Sequence, residues 1–259
     1  MLKSLNECTW VELASLEKQS VRLVLPIASL EQHATHLPVG TDDFISRIAL
    51  DRLVNNELLE ADYWLLPAIH YGCSFEHMPF AGTFSLSPST LCSTVEDILA
   101  AMSAHGWSTL VLINTHGGNQ GILQGMAQTW RYRFGITIYQ IDLLNCVRSS
   151  LTNDLELSPE QDGHAGEMET SVLLSGMPHL VRRETLMQQP DVLTPLPNYK
   201  HSWLTREISP TGILGGASKA SAEKGEKIIE LLTATILQIL NEIAQENMQN
   251  EADCGYTTD

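Results

Sequence analysis

The sequence is short of positive charge. Its 259 residues carry 15 lysines and arginines against 31 aspartates and glutamates, a formal net charge of −16. A phosphate backbone is repelled by such a surface, which argues against nucleic acid as a partner; an acidic, solvated exterior mainly serves solubility. No uninterrupted apolar run approaches the roughly 18 residues of a membrane-spanning helix. The opening MLKSLNECTWVEL has no apolar core long enough for a signal peptide, so a cytoplasmic protein is expected. The five cysteines, Cys8, Cys73, Cys92, Cys146 and Cys254, are odd in number and form no C-x-x-C pair. That excludes a disulfide framework or zinc ribbon and predicts reduced, mostly buried thiols. Neither a G-x-S-x-G elbow, a G-x-G-x-x-G loop nor a P-loop occurs, which excludes the usual serine hydrolases and nucleotide binders.

Hydrophobic residues make up 43% of the chain, enough for a sizeable core. Solid apolar blocks at 21–28, 63–69, 108–114 and 136–144 read as strands covered on both faces. Helical patterns begin at Asp42 (Thr41 as the cap), span 87–106, follow HGGN to about Arg133 (Asn119 as a cap), and cover 164–176 and 220–245. This alternation predicts an α/β protein, a three-layer α/β/α sandwich with a mostly parallel central sheet. No linker divides the chain, so residues 1–245 read as one domain, with a polar acidic tail at 246–259 that should fray. The Pro- and Gly-rich stretch 177–216 reads as long functional loops, with Trp203 as part of a lid.

In such folds, ligands bind beyond the carboxyl ends of the strands. After the first strand comes SLEQHATHLPVGTDDF, residues 29–44. In extended backbone the spacing of Glu31 and His33 turns both to one side, and Asp42 returns from the next helix. Carboxylate and imidazole together suit zinc or manganese. His116 follows the third strand in NTHGGN, where Gly117 and Gly118 permit close approach of backbone or ligand. Glu169 shares a helix face with Val172 and Leu173, so it points inward and needs a cation or strong hydrogen bonds; Glu167 points elsewhere, into solvent. His164 reaches the site from the loop before that helix. Taken singly, each group reads equally well as a hydrogen-bonded loop or helix-start acid; together they point to a metal centre. His36 and His77 are candidates to orient ligands, and Ser74 and His77 to contact substrate. Asn145 and Cys146 could also line the site. Asp43 reads as a solvated acid, and His70, His105, His179 and His201 have no partner pattern.

EQHATHLPVGTD, NTHGGN and HAGEMETS, in order, resemble the creatininase (creatinine amidohydrolase) family. YGCSFEHMPFAGTFSLS and SPTGILGGASKASAEKG fit as well, and the resemblance runs over residues 21–230. It implies a dinuclear centre with two divalent ions, Zn2+ or Mn2+, and a homo-oligomer, often a hexamer. Glu31, Asp42 and His116 would hold one ion; His33, a bridging Asp42 and Glu169 the other; His164 would transfer protons. The implied reaction is hydrolysis of a small, cyclic amide such as creatinine by a metal-bound hydroxide. Creatininases proper place an aromatic residue and a metal-binding glutamate where this chain has Gly117 and Gly118, and they carry tryptophans where it has SPEQDG (158–163). The Gly-Gly form is similar to the broader family, which includes formamide hydrolases and a peptidase of peptide-cofactor maturation. A non-catalytic metal-binding protein is a third reading, disfavoured because the ligands and the proton-transfer histidine are all present.

Overall fold

The computed structural model describes residues 2–54, 56–152, 154–158, 161–188, 190–192 and 202–253, with side chains to Glu246. His201, Cys254, residues 193–201 of the Pro- and Gly-rich stretch and residues 254–259 of the tail lie outside the described residues. Five parallel strands form one sheet: β1 (Leu2–Ser4), β2 (Arg22–Ile27), β3 (Tyr63–Leu65), β4 (Thr109–Asn114) and β5 (Thr137–Asp142), in the order β1-β3-β2-β4-β5. The two fully buried apolar strands, β2 and β4, take central places, where both faces are covered. Val24 pairs with Leu65 on one side and Val111 on the other. β1 escaped the sequence reading because three residues at a sheet edge show no periodicity.

The nine helices among the described residues are α1 (Trp10–Ala14), α2 (Thr41–Asp51), α3 (Pro88–Ala104), α4 (Gly117–Phe134), α5 (Asn145–Arg148), α6 (Glu167–Gly176), α7 (Arg183–Leu186), α8 (Thr205–Ile208) and α9 (Ala222–Asp253). Successive strand residues face opposite layers. Val24, Val111 and Ile141 meet α2, α6 and α9; Leu23, Leu25 and Leu112 meet α3 and α4. This is the expected α/β/α sandwich.

Local signals explain the helix starts, with two corrections. Ser87 caps α3, accepting from Thr90 N–H at 3.1 Å. Thr41 is not the cap of α2: Gly40 holds that place, and the Thr41 hydroxyl donates to Pro38 O at 2.7 Å. Nor does Asn119 cap α4, since His116 precedes that helix. Asn119 is buried inside it, accepting from Cys73 N–H at 2.9 Å and donating to Ala28 O at 3.1 Å. It therefore ties two site-bearing loops together. Of the described cysteines, all free, Cys73 is buried and Cys8, Cys92 and Cys146 are half-buried.

α9 runs past residue 245, where the sequence reading ended it. Its segment 222–246 is, by length and composition alone, long and apolar enough to cross a membrane. Its apolar stripe (Ile228, Ile229, Leu232, Ile236, Leu240) is buried in the core with Val172 and Leu173 of α6. Gly225 lets the two helices touch: a Cβ there would lie 1.8 Å from Ser171 O. Gly225→Ala should therefore push α9 off α6 and cost about 1–3 kcal/mol. A urea titration should show a lower midpoint with an unchanged slope; an unchanged midpoint would refute close contact at this crossing.

Candidate metal centre

The loops after β2 and β4 and the first turns of α2 and α6 converge beyond the carboxyl edge of the sheet. Glu31, His33, Asp42, His116, His164 and Glu169 are all buried there. His116 Nδ1 lies 3.1 Å from Glu31 Oε2 and 3.5 Å from Asp42 Oδ2. His33 Nε2 lies 3.4 Å from Asp42 Oδ1 and 3.7 Å from Glu169 Oε2. Two atoms each about 2.1 Å from one tetrahedral ion sit about 3.4 Å apart. His33 Nε2 and Asp42 Oδ2 are buried without a hydrogen-bond partner, a costly state unless a cation serves them. Among the described residues, three sets lie close enough to hold an ion: Glu31–Asp42–His116, His33–His164–Glu169 and Glu31–His77–His164. The donor set fits a hard or borderline divalent metal.

The outer faces of these rings are held by other groups. His116 Nε2–H donates to Cys73 O at 2.8 Å, and His33 Nδ1–H to Glu31 O at 3.2 Å, so Nδ1 of the first and Nε2 of the second face the cluster. Ser29 donates to Glu31 Oε2 at 3.0 Å. Two non-glycine residues with positive φ directly follow cluster histidines: Ala34 (φ 57) and Ala165 (φ 50). Each costs about 1–3 kcal/mol. The Ala165 N–H reaches Glu169 Oε2 at 2.7 Å, and the Ala34 N–H reaches Gln32 Oε1 at 2.9 Å.

The crowding sets the charges. Burial would raise Glu31, but His116, His77 and His164 around it bring its carboxyl well below the ordinary value. Burial raises Asp42, with Glu31 adding to it, and pushes Glu169 up to about 7. Burial opposes protonation of His33 and His116, yet the neighbouring carboxylates raise them to about 9 and about 10. Burial lowers His77 and His36 to about 4, and carries His164 well below its usual value, with His77 and His33 adding.

A cavity of about 200 Å³ opens over the cluster, lined among others by Glu76, His77, Gly117, Gly118 and Trp203. Several expectations change here. Ser74 is fully buried behind His116, 3.2 Å from its Nε2, and does not line the cavity. His36 meets the Thr170 hydroxyl at 2.8 Å instead of a carboxylate. Glu167 is not solvated: it is fully buried, paired with Lys224 Nζ and accepting from Glu156 N–H at 2.9 Å. Asp43 and His70, read as separate bystanders, pair at 3.0 Å. Asn145 and Cys146, in α5, are not among the cavity-lining residues. Sequence reasoning missed Glu76, whose Oε1 lies 3.7 Å from His116 Nε2. It also missed Asp162, whose carboxylate accepts from Glu167 N–H and Met168 N–H at 2.7 and 2.8 Å and so caps α6. The alternation of polar and apolar residues in YGCSFEHMPF was the available signal for Glu76; for Asp162 there was none.

The chain matches the family described as creatininase, creatinine amidohydrolase, over residues 6–240. It is 34% identical over 224 residues to the mycofactocin precursor peptide peptidase of Mycobacterium tuberculosis (strain CDC 1551 / Oshkosh), covering 83% of this chain and 82% of that protein. It is 30% identical over 255 residues to the creatinine amidohydrolase of Pseudomonas putida, covering 92% and 95%. A solved structure described as "Creatininase Mn" superposes with a TM-score of 0.75 at 25% identity, covering 92% of this chain and 97% of that one. This chain therefore belongs to the creatininase family of hydrolases.

The protonated histidines give a pH prediction for the metal-free protein. His33 and His116 are raised above the ordinary 6.5. Their contribution to stability is complete below pH 6.5 and is lost as pH rises through about 9 and about 10. Protein stripped with a chelator should lose thermal stability across pH 7 to 10. Metal-saturated protein, whose imidazoles are neutral ligands, should not decline in that window. Parallel melting curves for the two forms would contradict the assignment.

Proposed function

We propose that this chain is a metal-dependent amidohydrolase with two divalent cations, zinc or manganese, in the buried cluster. The observation that carries the reading is the pair of orphaned buried atoms, His33 Nε2 and Asp42 Oδ2, inside a set of carboxylates and imidazoles at ligand spacing. Glu31, Asp42 and His116 would hold one cation, and His33, Asp42 and Glu169 the other. When bound, the cations lower the pKa of water toward about 7 and polarise an amide carbonyl.

The protein supplies the proton chemistry. His164 Nε2–H donates to Gln32 O at 2.8 Å, so Nδ1 carries the lone pair that can accept a proton. The proton of the attacking water goes to Nδ1, and the water oxygen bonds to the carbonyl carbon. The C–N bond then breaks with its electron pair on nitrogen, which takes the proton back from Nδ1. As that bond breaks, the carbonyl oxygen's electron pair re-forms the C=O, giving an amine and a carboxylic acid, whose remaining proton passes to the amine to leave ammonium and carboxylate.

A cavity of about 200 Å³ suits a small, compact amide, and a cyclic one in the manner of creatinine is our first substrate. A second reading, a peptidase, draws on Gly117: a Cβ there would meet nothing within 4 Å, so the wall beside His116 is open to a longer chain. The relative that is a peptide peptidase supports the same reading. Formamide hydrolysis uses the same chemistry. The free thiols fit a reducing compartment, and we place the enzyme in the cytoplasm. For assembly we propose a homo-oligomer, with a hexamer favoured by the family resemblance, and no nucleic-acid or membrane partner.

Elemental analysis of dialysed protein should find two metal ions per chain, and Asp42→Asn should lower that count. His164→Ala should keep both ions and lose turnover by about 10²–10⁴-fold; loss of metal in that variant would make His164 a ligand instead. Creatinine and a set of short peptides, assayed side by side on zinc- and manganese-loaded protein, separate the two substrate readings. Cleavage of peptides without creatinine turnover would replace the first by the second, and inertness toward both and toward formamides would refute the hydrolase assignment.

A further inference from the structure

Gln32 lies between the two ions' nearest ligands in the chain, Glu31 and His33, yet its side chain turns away from both. It is buried at 4% exposure. Its orientation is set without ambiguity. Oε1 accepts from Ala34 N–H at 2.9 Å, and Nε2 donates to Gly212 O at 3.0 Å. Turning the amide over would set oxygen against oxygen and N–H against N–H. The remaining Nε2 proton points at His77 Nδ1, 2.8 Å away. His77 Nδ1 is therefore an acceptor, and a neutral ring that accepts at Nδ1 carries its proton on Nε2. The Thr205 hydroxyl, 2.8 Å from the same Nδ1, can donate in the same sense.

The backbone of Gln32 treats His164 in the opposite way. Its carbonyl oxygen lies 2.8 Å from His164 Nε2, so that nitrogen holds the proton and Nδ1 is bare. Gln32 Nε2 is also 3.0 Å from His164 Nε2, but both of its protons are engaged elsewhere. A bare Nε2 would set its lone pair against the carbonyl. The two rings stack at 4.1 Å with an interplanar angle of 28°. Their free edges meet the same atom: His77 Nε2 and His164 Nδ1 each lie 3.6 Å from Glu31 Oε1. One residue thus presents a proton donor and a lone pair side by side at the floor of the cavity. Gly212 makes room for this arrangement. It has φ +87, and a Cβ there would lie 2.1 Å from Gln32 Oε1.

We propose that Gln32 is a positioning residue that fixes the Nε2–H tautomer in both His77 and His164 while gripping the two rings by opposite nitrogens, leaving His77 as an Nε2–H donor and His164 as an Nδ1 acceptor toward the cavity. The catalytic consequence rests on the hydrolase reading. His164 then has its lone pair where a water proton must go, and His77 has its N–H where a carbonyl oxygen gains negative charge, a donor aimed in advance at the transition state.

The test reads tautomers directly, by ¹⁵N–¹H imidazole correlation on zinc-loaded protein labelled with ¹⁵N-histidine. His77→Gln and His164→Gln assign the two rings. The expected result is His77 protonated on Nε2 and His164 on Nε2 with a bare Nδ1. In Gln32→Glu the carboxylate demands a proton from His77 Nδ1, so that ring should switch tautomer while the zinc count stays the same. Gly212→Ala, which leaves Gln32 in the sequence but displaces it, should blur the same assignment and covers the case that Gln32→Glu misfolds. With whichever amide the wild type cleaves, both variants should lose about 10²-fold in kcat with KM little changed, the loss of one such donor. His77 protonated on Nδ1 in the wild type, or unchanged tautomers in both variants, would overturn the proposal. Correct tautomers in a wild type that cleaves no amide would refute the hydrolase reading and still support the role of Gln32.

Discussion

Confining several carboxylates in one dry pocket is the constraint on which the rest of this structure depends. Glu31, Asp42 and Glu169 are each buried within reach of the same histidines. Two like charges about 4 Å apart repel by about 4 kcal/mol at an effective dielectric constant of about 20. Without a cation the pocket can relieve this only with protons, which is why His33 and His116 hold theirs so tightly and Glu169 is pushed up. A divalent pair would balance the same charge without protons and leave the imidazoles neutral. The surroundings can be understood as what keeps these groups from moving apart.

That restraint comes from polar ties between loops, more than from the helices alone. Asn119 joins the loop after β2 to the segment at Cys73. Asp162 caps α6 and packs where a Cβ at Gly166 or Gly215 would lie 1.9 or 2.3 Å from its Oδ1. Glu167 and Lys224 pair across the α6–α9 crossing, so the helix that supplies Glu169 is anchored by charge as well as by its apolar stripe. The pair belongs to a half-buried network, since Lys224 Nζ also reaches Glu156 Oε1 and Lys219 O and Glu167 also accepts from Glu156 N–H, and this network adds to the stability of the crossing. The left-handed alanines Ala34 and Ala165 spend part of this stability on turning His33 and His164 inward.

A layer of hydrogen bonds decides which ring nitrogen faces the centre. Cys73 O, Glu31 O and Gln32 O take the protons of His116, His33 and His164, and a different atom of Gln32 supplies one to His77. Backbone carbonyls do most of this work. They are set by the fold and do not depend on which side chain occupies the position. The cavity wall can therefore vary at Gly117, where a Cβ would meet nothing within 4 Å, but not at Gly118, where it would lie 2.2 Å from Cys73 O and 2.4 Å from His116 Nε2.

The layered α/β/α architecture and the cluster of Glu31, His33, Asp42, His116, His164 and Glu169 were legible in the sequence. Solid apolar blocks mark covered strands, and ionisable groups directly after them mark the open edge of a sheet. Those signals are local, with a period or a spacing that a single segment carries. What escaped was set by partners distant in the chain. Glu167 looked solvated until α9 brought Lys224 to it, and Ser74 looked accessible until the loop after β4 covered it. Asp162 and Gln32 had no local mark at all, and Glu76 only the alternation within YGCSFEHMPF. By itself the sequence determined the type of fold and the donor chemistry, because strand and helix periodicity and residue identity are properties of short stretches. Only the tertiary structure decided which carboxylates are paired, which face the cavity and which imidazole nitrogen is free. Those depend on hydrogen bonds across 132 residues, as between Gln32 and His164, and no spacing along the chain encodes them.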